Sequence, residues 1–160
     1  DRITQRRVGE LQQMGSTVAA MRITREHAVI AHVGDSRVYL WRDGTLKQIT
    51  EDHSWVSEQV RAGVLSDDDA RRHPWRNVVT RALSGGEDPD VDVFDVELRG
   101  GDRLLVCSDG LSGVVPLDRL AAIIGGTDAL DDTCRTLIDA ANDAGGPDNI
   151  TVAMLQVDVA

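Results

Sequence analysis

Basic side chains are scarce in this sequence of 160 residues, with 17 Lys and Arg against 27 Asp and Glu and a formal net charge of −10. Unspecific nucleic-acid binding needs many cations to neutralise phosphates, so the charge balance argues against it and favours a cationic partner or bound cations. Cysteine is nearly absent. Cys107 and Cys134 form no CxxC pair and no histidine stands at ligand spacing, so neither zinc nor a disulfide framework is indicated, and a reduced cytosol is the expected compartment. No apolar run reaches membrane-spanning length and no basic-plus-apolar signal segment opens the chain. The first residue is Asp1 rather than Met, which reads as a piece of something longer. What is present suffices for one domain with a real core, since 41% of the residues are apolar.

Residues 1–13 carry Ile3, Val8 and Leu11 at roughly helical spacing and read as the tail of a helix. From STVAAMRI onward the period changes to that of strands. VIAHV and RVYLW, separated by GDS, read as a hairpin, and Asp43-Gly44 predicts a second hairpin into TLKQIT. In the polar stretch 51–76, Ser54 and Ser66 are candidate N-caps of two short helices joined by Gly63, with Ser66 and Asp69 forming an acidic capping box. DVDVFDVEL (90–98) alternates acidic and apolar residues, as a strand with one wet face does. RLLVCS is apolar without alternation and reads as a strand buried on both faces. Two helices follow, one opened by Pro116 and one closed by Gly145, and NITVAMLQVDV supplies a last strand. Strands, then helices, then a strand predict an α+β layered sandwich with mostly antiparallel sheets.

Most of the acidic residues have ordinary explanations. Asp43 serves turn geometry, and Asp67 to Asp69 complement the dipole of a predicted helix. Asp88, Asp90 and Asp92 resemble the opening of a calcium loop but lack its glycine and its later glutamate. Asp35, in HVGDSRVYL, is either a turn residue or a ligand on local sequence alone. Asp148, in AGGPDNITV, is equally open. Asp109 is harder to dismiss, because it stands in LLVCSDGLSG where a buried strand ends. If the strands beside Asp109 and Asp148 are antiparallel neighbours, both carboxylates emerge at one end of the sheet, where the turn holding Asp35 could meet them. Three carboxylates about 5 Å apart repel by roughly 3 kcal/mol per pair at an effective dielectric near 20. Protonation or a bound cation must compensate, and an all-oxygen ligand set favours Mg²⁺ or Mn²⁺.

Six motifs, in order, carry a family resemblance: MGST (14–17), HVGDSRVYLWRDGTL (32–46), ITEDHS (49–54), HPWRNVVTRAL (73–83), GDRLLVCSDGLSG (101–113) and GGPDNITV (145–152). Together they resemble the metal-dependent protein phosphatases, the type 2C Ser/Thr phosphatases in their bacterial form. The resemblance implies an α-β-β-α sandwich with a Mg²⁺ or Mn²⁺ centre at one end of its sheets. It implies phosphoserine and phosphothreonine on proteins as substrate, with bacterial Ser/Thr kinases as counterparts. Carried onto this sequence, Asp109 and Asp148 become ligands of two paired metals, and Asp35 with Asp109 serves a third. No catalytic residue beyond these metal ligands is expected. Residues 53–77 resemble a flap beside the active site, and His53 lies at its start, not where a proton donor is expected.

The family's upstream arginine segment and DGxGG motif have no counterpart before Met14. The expectation is therefore one partial phosphatase-like domain over 1–160, lacking its N-terminal strands and of low activity by itself, although the intact domain would hydrolyse phosphoesters through a metal-activated water. The alternative is a noncatalytic regulatory or binding domain that kept the fold. The expected location is cytoplasmic, with no membrane segment and no nucleic-acid partner.

Overall fold

The computed structural model describes residues 2–9, 12, 14–85 and 90–158. Its elements run α1 (Arg2–Arg6), β1 (Val18–Ile23), β2 (His27–Val33), β3 (Arg37–Arg42), β4 (Thr45–Gln48), α2 (Trp55–Arg61) and α3 (Asp67–Arg72). They continue with β5 (Asp92–Glu97), β6 (Arg103–Cys107), α4 (Asp109–Ser112), α5 (Leu117–Ile124), α6 (Leu130–Asp143) and β7 (Val152–Gln156). The strands form two sheets, ordered β1-β2-β5 and β4-β3-β6-β7, and every neighbouring pair is antiparallel.

Side-chain alternation decides which faces meet. Met21, Ile30 and Phe94 lie in one cross-strand row of the first sheet, and Leu40, Leu104 and Leu155 in one row of the second. Both rows belong to a single apolar cluster between the sheets. The neighbouring row of the second sheet, Tyr39, Leu105 and Met154, points the other way and packs beneath α5 and α6. Those helices bury Leu120 and Ile124, then Leu137, Ala140 and Ala141, at the three- and four-residue spacing that puts side chains on one helical face. Strand β6 is thus covered on both sides, as its unbroken apolar run implies. Among the described residues, Val29 and Val93 leave the outer face of the three-stranded sheet exposed at 37% and 65%.

The Asp43-Gly44 turn forms as expected. Arg42 pairs with Thr45, and both turn residues have positive φ, 50° and 81°, the combination that matches the strand twist in a two-residue hairpin. The predicted hairpin across GDS does not form. Strand β2 pairs with β1 and β5 whereas β3 pairs with β4 and β6, so Gly34 to Ser36 carry the chain from one sheet to the other. Gly34 has φ +115° and lies so close to Thr17 that any Cβ would strike the threonine side chain. A short turn between two β-rich runs does not by itself choose between a hairpin and such a crossing. Ser54 and Ser66 cap α2 and α3, accepting from the backbone N–H of Ser57 and Asp69.

Candidate metal centre

Strand pairing brings Asp109 and Asp148 to the same end of the four-stranded sheet. The last residue of β6, Cys107, faces the first of β7, Val152. Beyond this pair the contact continues through Ser108. Its N–H donates to the Thr151 carbonyl (3.1 Å), its hydroxyl donates to the Asn149 carbonyl (3.1 Å) and accepts from the Thr151 N–H (3.0 Å). Gly110 packs directly on the Asn149 carbonyl, leaving no space for a Cβ. Asp109 therefore opens α4 beside the loop that carries Asp148, and the Asp148 carboxylate accepts the next backbone N–H, that of Asn149, at 2.7 Å.

The sheet-to-sheet crossing delivers Asp35 to the same region. Burial pushes the Asp35 carboxyl above its ordinary range, the charge on Asp109 pushes it further, and Asp52 adds to the shift. Arg37 opposes this only weakly, and its guanidinium is engaged elsewhere. It donates from Nε and Nη2 to the Asp52 carboxylate at 2.7–3.0 Å and from Nη1 to the Tyr39 hydroxyl at 3.1 Å. No hydrogen bond or ion pair reaches the Asp109 carboxylate among the described residues. Two carboxylates near enough for the charge of one to raise the other fit a hard divalent ion, and an exposed third, Asp148, lies on the loop beside Asp109. The three do not close on one point by themselves, because the trio found within 4.8 Å of one another among the described residues is His32, His53 and Asp92.

That trio was not anticipated from the sequence. His32 and His53 are buried, with ring centroids 4.9 Å apart. The His53 Nδ1 accepts from the Gly34 N–H (3.0 Å), so its Nε2 carries the proton and donates to Asp92 (3.0 Å). His32 Nε2 donates to the Ser36 carbonyl (2.7 Å), which leaves its Nδ1 a buried acceptor without a partner among the described residues. Burial holds His32 below the usual histidine range. Because both nitrogens of His53 are engaged, the trio as hydrogen-bonded is a network rather than a cage for an ion. The bond from His53 also holds Asp92 below the usual carboxylate range, aided by Arg81. The same arginine pairs with Asp90 at 3.2 Å, whereas Asp88 lies outside the described residues. A signal for the network did exist: His32 continues the inward positions of Ala28 and Ile30 along β2, where a polar residue needs a partner.

The segment after His53 leaves and returns at one neck. Thr80 N–H donates to the His53 carbonyl (2.8 Å), Trp55 N–H donates to Val78 (2.9 Å), and Ser54 bridges Val79. Between these ends, Trp55 stacks on His73 at 4.8 Å and meets the edge of Trp75 at 4.9 Å.

A family profile described as protein phosphatase 2C matches residues 2–149. The chain belongs to the protein phosphatase 2C family. The serine/threonine phosphatase stp of Listeria welshimeri is 42% identical over 147 residues, covering 92% of this chain and 58% of the relative. The solved serine/threonine phosphatase of S. agalactiae superposes with a TM-score of 0.93 at 36% identity, over 98% of this chain and 65% of that one. The catalytic domain of the phosphatase PstP, solved in complex with two manganese ions, gives 0.86 at 35% identity, over 96% and 64%. The chain thus spans somewhat under two thirds of the length of the relatives it matches. Family membership accounts for the two antiparallel sheets with flanking helices and makes metal dependence the family expectation for the acidic end of those sheets. No helix among the described residues is long and apolar enough to cross a membrane.

Proposed function

We propose that the protein carrying this domain is a metal-dependent serine/threonine phosphatase that hydrolyses phosphoserine and phosphothreonine on proteins, with Asp109, Asp148 and Asp35 as ligands of Mg²⁺ or Mn²⁺. The observation that carries this reading is the approach of Asp35, carried on the sheet-to-sheet crossing, to Asp109, whose charge raises the Asp35 carboxyl while the Arg37 guanidinium is taken by Asp52. Divalent ions held there would supply Lewis-acid activation of water and offset charge on the phosphoryl oxygens. Asp109 and Asp148 would hold and neutralise two such ions, and Asp35 with Asp109 would serve a third. None of the three is the nucleophile. Their value lies in rigidity: Asp109 starts a helical turn locked against the Asn149 carbonyl through Gly110, and Asp35 sits on a crossing pinned at Gly34 and Ser36.

The single domain over 1–160 includes a flap over 53–77, whose paired neck and aromatic cluster suit a segment that shapes access to the acidic end without supplying chemistry. Its counterparts are Ser/Thr kinases, and its place is the cytoplasm. The test is phosphate release from a phosphothreonine peptide by the full-length protein that contains this sequence. Release requires Mn²⁺ or Mg²⁺, stops on EDTA, and is abolished by Asp109→Asn. Turnover indifferent to EDTA or to that substitution contradicts the assignment.

A further inference from the structure

We propose that His53 and His32 are positioning residues for Asp35, holding the residues on either side of it so that its carboxylate meets Asp109. The inference rests on the metal reading above. His53 grips Gly34 twice: its backbone N–H donates to the Gly34 carbonyl (2.8 Å) and its Nδ1 accepts the Gly34 N–H (3.0 Å). His32 holds the other flank, donating from Nε2 to the Ser36 carbonyl (2.7 Å). The Ser36 hydroxyl is in turn hydrogen-bonded to that of Thr17 (3.0 Å). Asp35 is thus the middle residue of a three-residue crossing whose neighbours are each tied to a buried imidazole.

The imidazoles are themselves fixed. His53 is 2% exposed, donates to Asp92, and receives the Thr80 N–H on its carbonyl; Arg81 holds Asp92 in place at 3.1 Å. His32 is fully buried and packs 4.9 Å from the His53 ring. Among the described residues, His32 also keeps an unpartnered Nδ1 in the interior, a cost that buried polar groups in native proteins rarely carry without a role. A crossing with φ +115° at Gly34 has no ladder of its own to set its direction, so these side chains set it. Groups that orient a metal ligand from behind typically change metal affinity about 10–100-fold when removed.

The two histidines use different ring atoms, which gives the proposal a crossed signature. An asparagine at 53 places its amide oxygen where Nδ1 accepts from Gly34, whereas a glutamine reaches the Nε2 position instead. At 32 the requirement reverses, because the Ser36 bond comes from Nε2. The experiment is a Mn²⁺ titration by calorimetry of the 160-residue chain and its variants, with thermal unfolding followed for each. His53→Ala and His32→Ala weaken Mn²⁺ binding about 10–100-fold, His53→Asn and His32→Gln restore it, and His53→Gln and His32→Asn do not. Folded alanine variants with unchanged Mn²⁺ affinity, or rescue that ignores the crossed pattern, overturn the proposal. If the unaltered chain takes up no Mn²⁺, the metal reading fails separately. Amide exchange at Gly34 and Asp35 then decides the positioning role: acceleration in His53→Ala that His53→Asn reverses upholds it, and unchanged protection refutes it.

Discussion

Gly110→Ala is the most informative small change this structure offers. In a helical turn alanine is ordinarily favoured over glycine by about 1 kcal/mol, so helix propensity alone predicts stabilisation. The packing predicts the reverse. A Cβ at position 110 would press on the Asn149 carbonyl oxygen, lie 2.9 Å from the Asn149 carbonyl carbon and 3.4 Å from the Ile150 Cα, all backbone atoms that no rotamer change can move aside. Ordinary carbon contacts sit at about 3.5–4.0 Å, so the loop bearing Asp148 must retreat from Asp109 by roughly half an ångström or more. Overpacking of this kind costs about 1–3 kcal/mol, which at roughly 2–4 °C per kcal/mol for a chain of this length lowers Tm by roughly 2–12 °C. Gly15→Ala is the control, because its Cβ would find the Leu83 carbonyl at an ordinary 3.5 Å. Circular dichroism melting curves measure both variants, and Mn²⁺ titration reads the separation of the two carboxylates. A Gly110→Ala protein as stable as its parent, with the same Mn²⁺ affinity, refutes the claim that this contact locks the site.

Three further outcomes follow from the packing and the buried charges. Arg42→Ala leaves the carboxylate of Asp102, which is 1% exposed and bound by Arg42 at 2.6–2.8 Å, with the Arg99 N–H (2.8 Å) but no guanidinium, and destabilises the chain by about 1–3 kcal/mol in urea unfolding at neutral pH. Arg42 holds the Asp102 carboxyl below its ordinary range, so this stabilisation is complete above about pH 4 and is lost as pH falls through the lowered value; the difference between parent and variant shrinks in acid. Burial pushes the Cys107 thiol up to about 12, so thiol reagents at neutral pH modify Cys134 in the native chain and reach Cys107 only on unfolding, as mass spectrometry of labelled peptides will show. Leu137→Ala empties a fully buried position in the cluster between α5, α6 and the four-stranded sheet and costs about 2–5 kcal/mol by the same unfolding assay.

Much of this architecture was readable because local rules and tertiary packing agree. The alternation of β5, the unbroken apolar run of β6, the Ser54 and Ser66 caps and the Asp43-Gly44 turn each encode their own outcome within a few residues. Asp109 and Asp148 share one end of the sheet on the condition that β6 and β7 pair antiparallel, and the register of Cys107 with Val152 meets that condition. The crossing at Gly34 reads locally as a hairpin because its cause is nonlocal: besides their chain neighbours β1 and β4, β2 and β3 pair with the distant β5 and β6 in separate sheets, and Thr17 packs where a Cβ would stand. The His32, His53 and Asp92 network is nonlocal too: His32 and Asp92 become cross-strand partners only when β2 pairs with β5, and His53 reaches Asp92 from the segment after β4.

The central claim is that carboxylates from separate parts of the chain hold hard cations at one end of the two sheets. Calorimetric titration of Mn²⁺ into the chain, repeated with Asp109→Asn and Asp148→Asn, tests it most directly. The account predicts micromolar binding by the unaltered chain that disappears with Asp109→Asn and weakens with Asp148→Asn in variants that remain folded. Binding that survives both substitutions, or no binding by the unaltered chain, contradicts it.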